Sequence, residues 1–218
     1  MTVLHGHPVA IVLAAGSSRR FGRNKLVEPV DGLAIIERVV DGFRRARRVH
    51  ETVVVHGPGQ TEDYSWLAGP HVHLVENPDP GPGMITSIRT ALRSPRLHEK
   101  DFLIHPADVP FVDPEVVDRI VSTFLARPCR VVIPCYRGLG GHPGMYAADL
   151  AHDFFLHGDT QGAREILTRH RHAVFRLAVH EPDVCFDVDE PEDLRIAADP
   201  GARWARVEAR VEARRTGS

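Results

Sequence analysis

A short strand that runs into a glycine- and arginine-containing loop constrains the fold of this sequence most. The strand is Val9–Leu13, an aliphatic and β-branched run of the length typical of a buried parallel strand. The small residues at 14–16 follow it and let the backbone approach a ligand closely. Arg20 and Lys25 come next, and their charges, together with backbone N–H groups, suit a triphosphate. We therefore interpret the segment as a phosphate-binding loop rather than as a solvated basic turn.

Two common phosphate-binding patterns do not fit this loop. Gly16 and Gly22 are too far apart for G-x-G-x-x-G, and Lys25 lies too far beyond Gly22 for the P-loop pattern. The pattern that fits is L-A-A-G-x-S-x-R-x-G-x-x-K, from Leu13 to Lys25. It resembles the opening of the molybdenum cofactor guanylyl- and cytidylyltransferases. Phe21 stands where this family usually has methionine, which is a volume-conserving apolar change.

A second segment of the resemblance follows a loop rich in proline and glycine. Residues 77–83 contain too much of both for a helix or strand, and they predict a loop that leads into a helix at 84–93. Gly83, Met84 and Ser87 fit the family's G-M-x-x-S segment, which lies against the nucleotide. A helix N-terminus with a hydroxyl in its first turns suits contacts to a base or ribose. A capped helix without a ligand is the alternative interpretation.

Two aspartates at the ends of predicted strands are the candidate metal ligands. Asp108 follows the strand at 102–104, at the sheet edge where α/β proteins bind ligands. Its segment reads A-D-V-P where the family usually has G-D-x-P, and the resemblance makes this aspartate a magnesium ligand. Asp187 opens a segment that matches the family's D-x-D-x-P-E-D-L, which makes it the second ligand. Asp189 is the reserve ligand, or else the cap of a helix near Pro191.

Two further segments point to the acceptor side and to one branch of the family. Gly141, His142 and Pro143 match the family's G-H-P, where the chain turns toward the acceptor substrate, although turn chemistry alone also explains them. Residues 158–164 resemble a G-D-x-G-A-R segment with one extra residue, and we expect Asp159 to be a helix N-cap. These features and L-A-A-G, where the guanylyl branch has L-A-G-G, favour the cytidylyltransferase branch.

The resemblance covers residues 8–198 and implies a reaction. CMP is transferred from CTP to the terminal phosphate of the molybdopterin form of molybdenum cofactor, with Mg²⁺ as cofactor and pyrophosphate as product. The expected catalytic residues are Arg20, Lys25 and Asp108. The expected nucleotide-binding residues are Leu13, Ala14, Ala15, Gly16, Ser18, Arg20, Lys25, Gly83 and Ser87.

Strands and helices alternate along the chain, which predicts an α/β fold with a mostly parallel sheet. The resemblance makes it a three-layer α/β/α sandwich with a Rossmann-like sheet, of the nucleotide-diphospho-sugar transferase type. We expect one domain over 1–198. Residues 199–218 form an amphipathic helical extension that docks on the domain, packs against a second subunit or frays.

The composition excludes several classes of partner. A net charge of −2 in 218 residues gives no electrostatic basis for nucleic acid or a membrane as partner. No apolar run reaches the length of a bilayer span, and the expected location is cytoplasmic. Three scattered cysteines predict reduced thiols, and three His-x-His pairs without recurring acidic or cysteine neighbours predict solvated or hydrogen-bonded histidines.

Two alternatives to the cytidylyltransferase remain open. The first is a nucleotidyltransferase of the same fold that acts on a sugar 1-phosphate or another small phosphorylated acceptor. The second is a non-catalytic nucleotide-binding module that serves a target molybdenum enzyme. Arg20, Lys25, Asp108 and Asp187 occur together, and a module that only binds needs fewer of these groups.

Overall fold

The first strand is the centre of an eight-stranded sheet, in a computed structural model that describes residues 7–16, 20–156 and 163–217. The strands are β1 (Val9–Leu13), β2 (Pro29–Val30), β3 (Leu33–Ala34), β4 (Glu51–His56), β5 (Val72–Glu76), β6 (Phe102–Pro106), β7 (Val131–Tyr136), β8 (Leu139–Gly140), β9 (Gly144–Tyr146) and β10 (Val174–Val179). The α-helices are α1 (Ile35–Arg45), α2 (Thr61–Tyr64), α3 (Met84–Leu92), α4 (Pro114–Ala126), α5 (Asp153–Leu156), α6 (Ala163–Arg169), α7 (Asp193–Ala197) and α8 (Pro200–Thr216).

The main sheet has the order β10-β7-β9-β6-β1-β4-β5, and β8 pairs with β7 at the side. β1 lies parallel to both neighbours, with Ile11 opposite Val53 on β4 and Ile104 on β6. The short β9 runs antiparallel between β6 and β7. All other strands of the main path share one direction, which confirms the predicted mostly parallel α/β sheet. Their carboxyl ends therefore meet at one edge.

Helices cover both faces of the sheet because successive side chains of a strand point to opposite faces. On one face Ala10 and Val12 pack in a core that includes Ile36 and Phe43 of α1 and several residues of α4. On the other face Ile11 belongs to a second core with α3. β1 is buried on both sides, as its uninterrupted aliphatic sequence predicted.

Two local features lie outside the sequence predictions. The helix α1 begins at Ile35, because the two residues before it pair with β2 in a hairpin. Asp31 and Gly32 turn that hairpin with positive φ angles of 47° and 81°, as a two-residue Asp-Gly turn does. The strand β9 was not predicted, since its three residues follow a glycine-rich turn and carry no alternating pattern.

The C-terminal helix α8 docks on the domain. Val207 and Val211 are buried against it, and the Arg203 guanidinium donates from Nε to Asp183 Oδ1 at 3.0 Å. Asp199 caps the helix by accepting from the backbone N–H of Gly201 at 2.8 Å. Of the three arrangements that the sequence left open, the structure has the docked one.

Other expectations concern the thiols and the membrane. Cys129, Cys135 and Cys185 are free thiols, as predicted. Burial raises the pKa of Cys185 to about 11, so this thiol is protonated at neutral pH. Among the described residues, no helix combines the length and the apolar character needed to cross a bilayer.

Candidate functional site

A cleft of about 830 Å³ opens at the carboxyl ends of β1 and β6. Its position is where open α/β sheets bind ligands. The wall toward β1 and α3, which we call the nucleotide half, contains Leu13, Ala15, Gly16, Pro80, Gly81, Gly83, Met84 and Ser87. The wall toward β7, which we call the acceptor half, contains Gly140, His142, Cys185, Asp187 and Arg210. Asp108 belongs to the same lining, at the end of the central strand β6.

The nucleotide half brings together the two segments predicted to bind the nucleotide. Ala14 is buried beneath it and donates its N–H to Val55 O at 2.7 Å, which extends the β1–β4 pairing to the loop. Gly83 precedes α3 with a φ of 121°, a conformation that glycine adopts readily. Ser18, the other predicted contact in the first loop, lies outside the described residues.

A buried asparagine that sequence reasoning missed holds the nucleotide half in shape. Asn77 is 2% exposed, and its Nδ2 donates to Thr86 Oγ1 at 2.9 Å and to Ser87 Oγ at 3.0 Å. These bonds tie the end of β5 to the first turns of α3. Ser87, which we predicted to contact the nucleotide, is 3% exposed and lies at the cleft wall with this partner. The Asn-Pro step before the loop was the available signal for Asn77.

Lys25 connects three segments that are distant in sequence. Its ammonium donates to Asp108 Oδ2 at 3.0 Å and to Val188 O at 2.6 Å, and it lies 3.5 Å from Asp189 Oδ1. The Lys25 side chain is only 12% exposed. The predicted loop cation therefore already contacts the predicted magnesium ligand. The backbone N–H of Val188 donates to Asp108 O at 2.8 Å and joins the same two segments.

Arg20 lies further out than Lys25. Its side chain is 68% exposed, and its Nη1 is 4.0 Å from Asp189 Oδ2. At this exposure the pair contributes little to stability, because water screens it. The guanidinium is therefore available to an anion that enters from solvent.

Asp187 is paired with an arginine from the C-terminal helix. Arg210 Nη1 donates to Asp187 Oδ1 at 2.7 Å and to Cys185 O at 2.7 Å. Burial raises the pKa of the Asp187 carboxyl, Arg210 opposes this effect, and the negative charges of Asp189 and Asp108 add to it. The Asp187 carboxyl thus lies within electrostatic reach of two other carboxylates. The contact of Arg210 with Asp187 could not be predicted from the sequence, because Arg210 lies in a helix with arginine at many positions.

The second proposed role of Asp189, as a helix cap, is wrong. The helix begins at Asp193, not near Pro191, and the Asp189 carboxylate faces Lys25 instead. The buried Asp193 carboxylate binds the backbone of this loop instead. Its Oδ2 accepts from the N–H groups of Asp189 and Glu190, each at 2.8 Å. Asp193 Oδ1 also lies 3.2 Å from Arg206 Nη2 of α8. Asp193 therefore positions the segment that carries Asp187 and Asp189.

Of the predicted G-H-P segment, His142 lines the acceptor half, whereas Gly141 and Pro143 are not in the lining. Gly141 packs so tightly that a Cβ there would lie 2.5 Å from Val184 O, which explains the glycine. The His142–Pro143 peptide bond is cis. Protein atoms around the His142 ring lower the pKa of His142, and the Asp108 charge opposes this effect. His142 is therefore neutral at pH 7 and able to donate or accept one hydrogen bond.

His105 is a buried residue of β6 next to His142. It is 1% exposed, its Nε2–H donates to Val109 O at 2.8 Å, and its ring meets that of His142 at a centroid distance of 6.2 Å. Burial lowers the pKa of His105 to about 3. The bond to Val109 holds the turn that carries Asp108. The sequence did not distinguish this histidine from the others in a chain with 14.

Two predicted features carry no further information on the site. The 158–164 segment and the Asp159 cap lie mostly outside the described residues, where only Ala163 and Arg164 are placed, in α6. In the described ranges, no three His, Cys, Asp or Glu side chains group closely enough to hold a metal ion. His170, from one of the His-x-His pairs, instead bonds to Asp153 and lies near Arg130.

Comparison with known proteins assigns the chain to a family. The family model described as "MobA-like NTP transferase domain" matches residues 10–174, which includes β1, the loop, Asp108 and the G-H-P segment. The chain belongs to this family. The nucleotidyltransferase resemblance of the sequence is thereby confirmed. The match ends before Asp187 and before α8.

The relatives differ in the names of their substrates. The chain is 28% identical over 129 residues to a probable molybdenum cofactor guanylyltransferase of Thermococcus sibiricus, which covers 59% of this chain and 62% of that protein. It is 31% identical over 118 residues to a 2-C-methyl-D-erythritol 4-phosphate cytidylyltransferase of Frankia casuarinae, which covers 53% of this chain and 43% of that protein. The matched part thus spans about half of these relatives.

A solved structure resembles the whole fold. Rv0371C of Mycobacterium tuberculosis H37Rv, in a complex with manganese, superposes with a TM-score of 0.71 at 25% sequence identity. The likeness covers 89% of this chain and 99% of that one. The chain therefore shares the fold of that structure over most of its length.

Proposed function

We propose that this MobA-like chain is a Mg²⁺-dependent nucleotidyltransferase that transfers CMP from CTP to the terminal phosphate of molybdopterin-type cofactor and releases pyrophosphate. The observation that carries the proposal is the pairing of Lys25, from the phosphate loop, with Asp108, which lines the cleft beyond the end of β6. A phosphate-binding cation and a candidate metal ligand lie together there. A chain that only binds nucleotide has no need of this arrangement.

The carboxylates at the cleft fit a magnesium ion. Mg²⁺ takes hard oxygen ligands and is usually bound through one or two carboxylates together with substrate phosphates and water. Asp108 and Asp187 both line the cleft, and the raised pKa of Asp187 reflects in part the charges of Asp108 and Asp189. A cation would offset this crowding. Such an ion polarises a phosphoryl oxygen and draws two anionic substrates together.

The chain's own groups account for the remaining chemistry. The triphosphate lies against the backbone of residues 14–16 and the N-terminus of α3, with Arg20 reaching it from solvent. An oxygen of the acceptor phosphate attacks the α-phosphorus in line, the bond to the β-phosphate oxygen breaks, and pyrophosphate leaves. Lys25 and Arg20 stabilise the charge that grows on the leaving group and the equatorial oxygens. No side-chain nucleophile is required.

The acceptor approaches from the other side of Asp108. Gly140 and His142 form a wall there, with Gly141 packed behind them. The neutral His142 ring suits a hydrogen bond to the acceptor. The target would be either a phosphate oxygen or a ring group of a pterin. A molybdenum enzyme that receives the product is the partner this reaction implies.

The nucleotide base and the acceptor each have a first and a second candidate. L-A-A-G supports CTP, and a cytidylyltransferase is among the relatives. A guanylyltransferase is among them as well, and it favours GTP as the second candidate. The Frankia relative's name also supports a small phosphorylated alcohol as the second candidate acceptor.

Pyrophosphate release tests the proposal. The protein is assayed with Mg²⁺, molybdopterin-type cofactor and, in parallel, CTP, GTP, ATP and UTP; 2-C-methyl-D-erythritol 4-phosphate replaces the cofactor in a second series. We expect release with CTP and the molybdenum cofactor only. Release with GTP only would indicate a guanylyltransferase instead of a cytidylyltransferase. Release only in the second series would indicate 2-C-methyl-D-erythritol 4-phosphate as the acceptor instead of the molybdenum cofactor. Saturable nucleotide binding without release in any series would contradict an enzymatic role.

A substitution at the loop sharpens the base assignment. Ala15 lines the cleft and is the residue that distinguishes L-A-A-G from L-A-G-G. Ala15→Gly should lower the ratio of CTP to GTP turnover, whereas Ala34→Gly, remote from the cleft, should leave it unchanged. An unaltered ratio in Ala15→Gly would remove this residue as the basis for the CTP assignment.

A further inference from the structure

The acceptor half of the cleft contains one permanently charged cation. Of the described residues that line the cleft, Arg210 is the only arginine or lysine. Arg20 and Lys25 are not part of this lining. The Lys25 ammonium is bonded to Asp108 and to Val188 O, and Arg20 lies 4.0 Å from Asp189. His142, the other basic group in the acceptor half, is neutral at pH 7 because protein atoms around it lower its pKa. Among the described residues, Arg210 is therefore the charged cation that an anion meets in the lining of this half.

The helix that carries Arg210 is fixed by its other residues. Val207 and Val211, on either side of Arg210, are 0% and 3% exposed. Arg203 donates to Asp183 at 3.0 Å and to Ala197 O at 2.6 Å. Glu208 accepts from Arg137 at 2.8 Å and from the Tyr136 hydroxyl. The position of the helix therefore does not depend on the Arg210–Asp187 pair.

The Arg210 guanidinium has unused donors. Both of its protein hydrogen bonds, to Asp187 and to Cys185 O, come from Nη1. Within the described part of the chain, Nη2 and Nε make no hydrogen bond, and the side chain is 44% exposed. A guanidinium has five N–H donors in a planar fork, which matches the geometry of a phosphate. A structural ion pair alone would not require this fork to lie in the cleft wall.

We propose that Arg210 binds the phosphate of the acceptor substrate, with Asp187 and Cys185 O holding its guanidinium in place between turnovers. The inference rests on the proposed function for the identity of the anion as an acceptor phosphate. The family match ends at residue 174, and Arg210 lies on a later helix. Arg210 is then a specificity-determining residue of the acceptor half.

Inorganic phosphate is the probe, with the nucleotide half blocked. The full-length protein is saturated with the α,β-methylene analogue of CTP and Mg²⁺, and phosphate is titrated by calorimetry. Without the analogue the same titration is repeated, so that the result does not depend on nucleotide binding. We expect saturable phosphate binding by the wild type, weakened by about 10- to 100-fold in Arg210→Ala, the range for loss of a charge-assisted contact.

Two variants accompany Arg210→Ala. Arg210→Lys keeps the charge but loses the fork, and we expect an intermediate affinity. Arg214→Ala is the matched control: Arg214 lies one turn further along α8 and donates to Gly138 O at 3.3 Å, outside the cleft lining. We expect it to bind phosphate as the wild type does. Melting temperatures confirm that each variant is folded.

The results separate the inference from the proposed function. Arg210-dependent phosphate binding without pyrophosphate release would support the anion site and contradict the transferase proposal. Turnover with a wild-type acceptor KM in Arg210→Ala would leave the transferase standing and overturn the inference. Absence of saturable phosphate binding in the wild type, or equal affinity in Arg210→Ala, would also overturn it. A purely structural Arg210 would lower the melting temperature without changing phosphate affinity.

Discussion

The two halves of the cleft acquire their positive charge in different ways. In the nucleotide half, the loop after β1 supplies Lys25, which crosses to Asp108 on the neighbouring strand. In the acceptor half, Asp187 receives Arg210 from a helix 23 residues further along the chain. The first pair connects two adjacent central strands, and the second exists only because α8 docks. The first pair thus depends on neighbouring strands, and the second on the docking of a helix that is distant in sequence.

The largest expected effect is the loss of turnover when the cation of the phosphate loop is removed. Lys25→Ala should lower pyrophosphate release by about two to three orders of magnitude, the scale for loss of one transition-state charge contact. Arg23→Ala is the control, since Arg23 lies on the same loop and pairs with Glu28 at 2.6 Å, with its side chain 68% exposed. Wild-type turnover in Lys25→Ala would show that Lys25 does not contribute to the reaction.

The next largest effect is on stability, through the segment that carries Asp187 and Asp189. Asp193→Ala removes the acceptor of two backbone N–H groups and the partner of Arg206. We expect the free energy of unfolding to fall by about 2–3 kcal/mol, as for loss of buried hydrogen bonds to a charged group. Glu192→Ala should cost much less, since Glu192 is exposed and makes no cap hydrogen bond. Urea unfolding of both variants measures the difference, and equal losses would exclude the positioning role of Asp193.

A third effect compares the two carboxylates as metal ligands. Asp108→Asn and Asp187→Asn should each weaken Mn²⁺ binding by at least about 10- to 100-fold, the range that loss of an outer-sphere partner alone produces. Asp189→Asn should weaken it less, because Asp189 faces Lys25 and Arg20. Electron paramagnetic resonance titration gives the affinities. If only Asp108→Asn had an effect, the metal would belong to the central strand alone.

The last effect concerns the buried histidine of β6, and it depends on pH. Because the pKa of His105 is about 3 in the folded chain and near 6.5 when unfolded, only the unfolded chain takes up this proton between those values. The contribution of His105 to stability is therefore present above pH 6.5 and lost as the pH falls, by up to about 1.4 kcal/mol per pH unit.

His105→Gln keeps a donor for Val109 O and removes the titration. Its free energy of unfolding should therefore fall less steeply than that of the wild type between pH 6 and pH 4, as measured by urea unfolding at each pH. His98→Gln, at a solvent-exposed position, should follow the wild-type curve. Parallel curves for His105→Gln and the wild type would show that His105 titrates alike in the folded and unfolded chains.

The nucleotide half and the sheet could be predicted from the sequence, because their signals are local. A continuous aliphatic run predicts a buried strand, and the loop motif lies within a dozen residues of it. Asp108 was predicted because it follows a strand, and Asp187 because it matches a motif; in the structure Asp187 follows a 3-10 helix rather than the end of a strand. These patterns state where a residue lies along the chain, but not which distant side chain it contacts.

The acceptor half shows what the sequence could not give. Arg210 contacts Asp187 through the docking of α8, and the sequence left that docking open because the helix carries arginine and glutamate on most of its surface. Asp193, Asn77 and His105 were missed as positioning residues for a related reason. Each is a buried polar group whose partners are backbone or side-chain atoms of another segment.

A crystal structure with Mn²⁺ and the α,β-methylene analogue of CTP would show directly where the metal and the nucleotide bind. We expect an anomalous manganese peak bound by Asp108 and Asp187. We also expect the triphosphate on the loop that follows β1 and the base against the first turn of α3. Manganese away from both carboxylates, or a nucleotide outside the cleft at the ends of β1 and β6, would exclude the proposed site.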